Sequence, residues 1–173
     1  TGRGGLQLAL LGRMNVTMLD FASNCLDEDI VPMLATQQHA LRFKEVDITA
    51  GFSDTAEYAY CCDVMEHIPP KQVRRTLMNV LASAQHCFFQ IACEDDVMGQ
   101  IVGHPLHLTV KSHDWWLMKF NALDCVVHWS QDYGTHCCFY VTGWIDGKKL
   151  VEHGVLNVEE ETARNNVREN IKG

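Results

Sequence analysis

No apolar run in the chain approaches the roughly 20 residues that a membrane-spanning helix needs, so the sequence offers no such segment. An excess of basic charge is also missing. Lys and Arg number 14 against 22 Asp and Glu, a net charge of −8. Gripping phosphates requires a basic face, so this balance argues against a nucleic-acid groove. Lys71, Arg74 and Arg75 lie close together but read more simply as a solvated helix face. Eight cysteines are present and no C-x-x-C among them. Instead Cys61–Cys62 and Cys137–Cys138 are adjacent pairs inside apparent strands, where neighbours point to opposite faces. Such pairs suit neither chelation of one ion nor a self-bridge, and scattered buried thiols suggest a reducing, cytoplasmic setting. The chain also lacks an initial Met. It opens on Thr1-Gly2-Arg3-Gly4-Gly5, and a glycine turn normally follows a strand that it caps. The expectation is that a first strand precedes this turn in the protein and that the sequence is a piece of a longer one.

At 173 residues, 47% hydrophobic and 21% charged, the composition is that of an ordinary globular domain whose core needs neither disulfides nor metal. The organising stretch is Glu57–Pro70, EYAYCCDVMEHIPP. Small, aromatic and sulfur-bearing residues end abruptly in Asp63, Glu66 and His67, and two prolines then open an amphipathic segment. This pattern is expected of a buried parallel strand that delivers polar groups to the sheet edge and hands over to a helix. Ligands of open α/β sheets sit outside the carboxyl ends of the strands, so chemistry is expected at that edge.

In chain order, the glycines lead into a helix over Leu6–Leu11. A strand over Asn15–Leu19 ends at Asp20, which either holds ribose hydroxyls or caps the next segment. Asp27-Glu28-Asp29 opens a second helix reaching about Gln38, with its acids at the positive end. Leu41–Val46 makes a strand ending in Asp47. Together with Ile48, Asp47 either receives an adenine or simply starts a turn through Gly51. After Tyr58–Cys62 come a helix over Lys71–Ser83 and a continuous apolar strand over His86–Ala92. Alternating helices and strands imply a mostly parallel sheet covered by helices on both faces. The rhythm breaks from Val97. Gly99–Val110 reads as a loop over the sheet edge that contributes His107 to a substrate pocket. His104 and His107 lack a third ligand at helical spacing, so no metal site is read. Ser112 caps a short helix carrying Trp115 and Trp116, read as core or lid. Strands over Cys125–Ser130 and His136–Trp144 form an antiparallel hairpin. The charged residues 148–173 are a peripheral helix or a linker.

Thr1-Gly2-Arg3-Gly4, Asp20, Asp47 and above all Asp63-Val64-Met65-Glu66-His67-Ile68-Pro69 resemble the class I S-adenosylmethionine-dependent methyltransferases, in order from Thr1 to about Trp144. The D-V-x-E-H-I-P element is the specific part. The resemblance implies a Rossmann-like three-layer α/β sandwich whose mostly parallel sheet closes with an antiparallel hairpin, its first strand apparently missing from this chain. It also implies a methyltransferase-like domain over 1–147 and S-adenosylmethionine bound across the strand tips. Gly2 and Gly4 would lie against the methionine part of the cofactor, Asp20 on the ribose, and Asp47 with Ile48 on adenine. Cys62 and Asp63 would line the methyl-donor end, with Glu66 and His67 supporting it.

A sulfonium methyl is already activated, so transfer chiefly needs alignment. His107 or His67 would serve as base only where the acceptor carries a proton to lose. Neither a D-P-P-Y nor a proline–cysteine motif of base methylation is present, which favours a small-molecule or protein acceptor. Two rivals stand beside this reading. One is a nicotinamide-dependent oxidoreductase, whose glycine fingerprint the turn would satisfy if a glycine preceded Thr1. The other is a methyltransferase-like domain that binds without turnover.

Overall fold

The structure, a computed structural model, describes residues 1–36 and 40–144. Within them the chain divides into two compact units, Thr1–Phe52 and a second beginning at Ser53. The segment read as a charged tail, 148–173, lies outside the described residues, as does the end of the second helix at Gln38.

In the first unit, helix α1 (Arg3–Leu10) is followed by strand β1 (Val16–Asp20), helix α2 (Ile30–Thr36) and strand β2 (Leu41–Glu45). β1 and β2 run parallel, in register from Val16 opposite Leu41 to Asp20 opposite Glu45. Ala9, Ile30 and Leu41 form the buried centre, with Leu6, Val16, Met18, Leu26 and Leu34 packed around it. α1 starts earlier than the glycines predict. Gly2 is its cap, at φ 77, in the left-handed region where a side chain is disfavoured. Gly4 and Gly5 are already helical, and Gly5 serves packing, since a Cβ there would stand 2.6 Å from Met18 Sδ on β1. The acids before α2 do more than face a helix terminus. Arg3 pairs with Asp27 at 2.5 Å and with Asp29 at 3.2 Å, joining the approach to α2 to the start of α1.

In the second unit, strand β3 (Ala56–Cys62) leads through a 3-10 turn (Met65–His67) into helix α3 (Pro70–Ser83) and strand β4 (Ala84–Ala92). Helices α4 (Val97–Val102) and α5 (His113–Asn121) and strands β5 (Val127–Asp132) and β6 (His136–Thr142) complete it. The sheet order is β3-β4-β6-β5. β3 and β4 are parallel, whereas β6 is antiparallel to both of its neighbours. This is the expected α/β pattern with its closing hairpin. Pro70 occupies the first position of α3, where its missing N–H costs nothing. The helix buries Val73, Leu77 and Leu81, which join a core containing Met65, Phe89, Ile91, Phe120 and Phe139. Phe120 links the layers, its ring centroid 5.1 Å from Phe89 and 4.8 Å from Phe139. Trp116 is core, as expected, while Trp115 is half-buried beneath the Lys119 ammonium.

Two expectations need correction. β3 is not a buried central strand. Among the described residues it pairs with β4 alone and ends its sheet, so Tyr58 and Tyr60 are exposed and only Cys61 is fully buried. Its apolar and aromatic composition gave no sign of that one-sided pairing. The stretch after β4 is not all loop either. Asp96 caps α4, accepting from the Gly99 N–H, and Gly103 ends it at φ 84. No described helix is long and apolar enough to cross a membrane.

Candidate active site

In the second unit the polar residues after β3 are held by backbone geometry. Asp63 has φ 54, a left-handed conformation that Asp tolerates better than most residues. β4 fixes it there. Its N–H donates to the Gln90 carbonyl at 3.1 Å, and the Gln90 amide donates to Asp63 Oδ1 at 3.4 Å. The chain thus turns off the strand sharply, leaving the Asp63 side chain exposed at the strand tip. Cys62, just before it, is half-buried, and burial raises its thiol pKa, keeping it neutral.

The loop carrying His107 clasps this turn. Leu108 and Thr109 both donate their N–H groups to the Glu66 carbonyl, at 2.7 and 2.9 Å. Thr109 Oγ1 donates to the Ile68 carbonyl at 2.6 Å. His67 Nδ1 lies 3.0 Å from the Leu106 carbonyl, and His107 Nδ1 lies 2.7 Å from the Glu94 carbonyl. Carbonyls only accept, so each Nδ1 carries a proton, and in the neutral ring it is Nε2 that keeps the lone pair. The two imidazoles meet edge to face, 5.0 Å between centroids. Asp96 organises the loop from below, accepting from the Leu106 N–H at 2.8 Å and the His107 N–H at 3.0 Å as well as from Gly99. These backbone donors hold the Asp96 carboxyl below its ordinary range. Its part is hidden in the acidic run Glu94-Asp95-Asp96, where nothing local marks one acid above its neighbours.

Glu66 is the unexpected member. It is 1% exposed, and neither carboxylate oxygen has a hydrogen-bond partner. Burial raises its pKa, offset in part by the nearby N–H groups of Glu66 itself and Ala92. Sequence reading placed Glu66 at this edge without foreseeing its burial. The signal for burial was the flanking pair Met65 and Ile68, both core residues.

The first unit carries the other expected residues. Asp20 ends β1 and is half-buried. Its Oδ1 accepts from the Ala22 N–H at 3.3 Å and its Oδ2 from the Cys25 thiol at 3.5 Å. Asp47 starts a turn, with Oδ1 accepting from Thr49 N–H at 2.8 Å and Thr49 Oγ1 at 2.7 Å. Ile48 lies half-buried beside it. Gly2 caps α1 against Leu26 and Ile30, the Cβ position being 2.9 and 3.2 Å from their side chains, whereas Gly4 is exposed on the helix. The expected residues divide between the units, Gly2, Gly4, Asp20, Asp47 and Ile48 in one and Cys62, Asp63, His67 and His107 in the other, and of these His67 and His107 stand side by side.

Neither protein-family models nor curated protein sequences match the chain. Solved structures do. An O-methyltransferase family protein from Burkholderia thailandensis aligns with a TM-score of 0.60 at 12% identity, over 82% of this chain and 48% of that one. Magnesium protoporphyrin IX methyltransferase from Synechocystis, solved with S-adenosylhomocysteine, gives 0.61 at 12% identity, over 81% and 69%. The 1,6-didemethyltoxoflavin-N1-methyltransferase of Burkholderia thailandensis, also holding S-adenosylhomocysteine, gives 0.60 at 13%, over 82% and 67%. The chain has the class I methyltransferase fold. It spans about half the length of the first of these proteins and roughly two thirds of the other two. In this chain the D-V-M-E-H-I-P segment forms the left-handed exit from β3 and the turn that the His107 loop embraces.

Proposed function

We propose that this chain is the cofactor-binding and methyl-transferring part of an S-adenosylmethionine-dependent methyltransferase whose acceptor is a small molecule or a protein. The observation that carries this reading is the exit from β3, where Asp63 stands exposed at a strand tip in a fold shared with methyltransferases solved with S-adenosylhomocysteine. Each unit offers groups that such a cofactor would use. Asp20 accepts only one hydrogen bond on each oxygen, leaving lone pairs for ribose hydroxyls. Asp63 and Cys62 would line the methyl-donor end, Gly2 and Gly4 the methionine part, and Asp47 with Ile48 the adenine.

When bound, S-adenosylmethionine supplies a methyl group on a positively charged sulfur, already activated toward nucleophiles. This chain's residues have two remaining tasks. One is to hold the acceptor in line, and the loop over residues 104–109 would form that wall. The other is to take a proton from acceptors that must lose one. His107 and His67 each keep a basic Nε2, fixed by the Nδ1–H bonds to Glu94 and Leu106. The setting proposed for the chain is a reducing, cytoplasmic one, in which its eight cysteines would remain thiols.

Calorimetry with S-adenosylhomocysteine and with NAD tests the assignment. Heat of binding for the first and none for the second is expected, whereas the reverse would establish the nicotinamide reading. His107→Ala should depress turnover while S-adenosylhomocysteine affinity stays nearly intact, and an unchanged rate would remove His107 from the mechanism. Binding without transfer to any acceptor would favour the non-catalytic alternative.

A further inference from the structure

Glu66, His67 and His107 are unusual in what they leave unused. One ligating atom from each lies within 4.8 Å of the other two. The Glu66 carboxylate is 1% exposed and, beyond the nearby N–H groups of Glu66 itself and Ala92, meets no donor at hydrogen-bond geometry among the described residues. A buried carboxylate left this way costs on the order of several kcal/mol unless it is protonated or meets a cation, and no Lys or Arg ion pair reaches it among the described residues. Both imidazoles present the tautomer that metal ligands adopt. Nδ1–H donates to a backbone carbonyl, at 3.0 Å for His67 and 2.7 Å for His107, which orients the ring and leaves Nε2 to ligate. The supports are themselves rigid, since Asp96 pins the His107 backbone and the Glu66 carbonyl takes two N–H donors.

From this arrangement we propose that Glu66, His67 and His107 form a binding site for a divalent transition-metal ion, of zinc or cobalt type. Two imidazole nitrogens and one carboxylate oxygen make a borderline donor set, suited to such ions and not to magnesium or calcium, which prefer all-oxygen shells. Donors around a tetrahedral zinc stand roughly 3.4 Å apart, as bond lengths near 2.1 Å require. Closing from the present spread is a matter of side-chain torsions. Three protein ligands leave a fourth position open, where an acceptor oxygen would have its proton affinity lowered by direct coordination. The ion would thereby relieve the imidazoles of the base role. Binding itself does not depend on methyl transfer, so the site stands or falls independently of the function proposed above.

The test is titration of the chelator-stripped full chain with Co²⁺, following its visible d–d absorption, and then displacement with Zn²⁺. One ion per chain is expected, with a tetrahedral spectrum that excess Mg²⁺ does not disturb. Glu66→Gln, His67→Gln and His107→Asn should each weaken binding about tenfold or more. His128→Ala, exposed on β5 and outside the cluster, should leave it unchanged. Circular dichroism shows which variants fold. Should any fail, the unmodified protein still decides the matter: proton NMR of the Co²⁺ form should show two hyperfine-shifted exchangeable resonances, from the Nδ1–H groups of two bound imidazoles. Absence of a Co²⁺ spectrum, equal affinity in folded variants, or fewer than two such resonances would overturn the site.

Discussion

Asp63 joins an observed backbone role to the ligand-binding role proposed for it. Its φ of 54 is a conformation that costs an ordinary side chain roughly 1–2 kcal/mol and glycine nothing. The strain is sustained by the Gln90 carbonyl and amide. Its two roles separate by substitution. Asp63→Gly and Asp63→Ala should both lose S-adenosylhomocysteine affinity, about tenfold or more for a charge-assisted contact. Only the alanine should also lose stability, by about 1 kcal/mol relative to the glycine, measurable by urea unfolding. Equal stabilities would mean the left-handed turn relaxes. At Glu45 the residue-scale consequence is pH dependence. Its carboxylate accepts from Ser23 N–H at 3.1 Å and Ser23 Oγ at 2.5 Å, which lowers its pKa from the ordinary value. A lowered carboxyl pKa contributes stability that is present above the unfolded-state pKa and lost as pH falls through the folded one. Glu45→Gln should therefore lower stability at neutral pH and leave it unchanged at pH below the folded-state value, so that the acid limb flattens.

At the scale of elements, the stretch from Asp96 to Thr109 is a tied strap, with Asp96 holding both the start of α4 and the backbone of His107. Asp96→Ala frees three N–H donors at once. Turnover should fall and acceptor KM rise, while S-adenosylhomocysteine affinity changes little, because the residues proposed to hold the cofactor lie on other elements. A parallel loss of cofactor binding would show that the strap supports the strand tip too. Legibility in the sequence follows from the range of the interactions. α3 and β4 were readable because Pro70, the apolar stripe and the continuous run HCFFQIA act within one element. β1 and β2 were readable from short apolar runs ending in acids. The short α4 was not, since its cap is one acid among three and its sequence VMGQIV contains a glycine. That glycine is required by a distant contact, a Cβ at Gly99 standing 2.8 Å from the His104 carbonyl. Likewise the burial of Glu66 and the exposure of Tyr58 and Tyr60 depend on which chains pack alongside, and composition carries no record of that. The candidate site was legible as residue types at strand tips. Its tautomers, its strap and its unpartnered carboxylate emerged only from the fold.

For the whole molecule, the contrast between the two units predicts uneven stability. The first unit fully buries only Ala9, Ile30 and Leu41 of its apolar residues beneath a two-stranded sheet, whereas the second packs a cluster extending from Cys61 to Trp144 around four strands. Hydrophobic stabilisation scales with apolar area removed from water, and two strands are marginal without more to cover them. Native-state hydrogen exchange should therefore show the amides of β1 and β2 opening well before those of β4 and β6. The opening free energies should differ by a few kcal/mol, because exchange reports the local cost of unfolding each cooperative unit. Thiol chemistry gives an independent check. Cys25 is exposed, while burial raises the pKa of Cys61, Cys87 and Cys137, Cys87 to about 12. Partial burial and the Asp20 carboxylate also raise the Cys25 pKa, so a disulfide reagent should modify Cys25 first though not at the rate of a free thiol, and the core thiols only on the timescale of the slower opening. If S-adenosylhomocysteine binds Asp20 as proposed, adding it should slow exchange in β1 specifically, since a ligand stabilises the native form of the unit it contacts. Equal protection of all six strands, with or without ligand, would mean that the small core of the first unit does not set its stability.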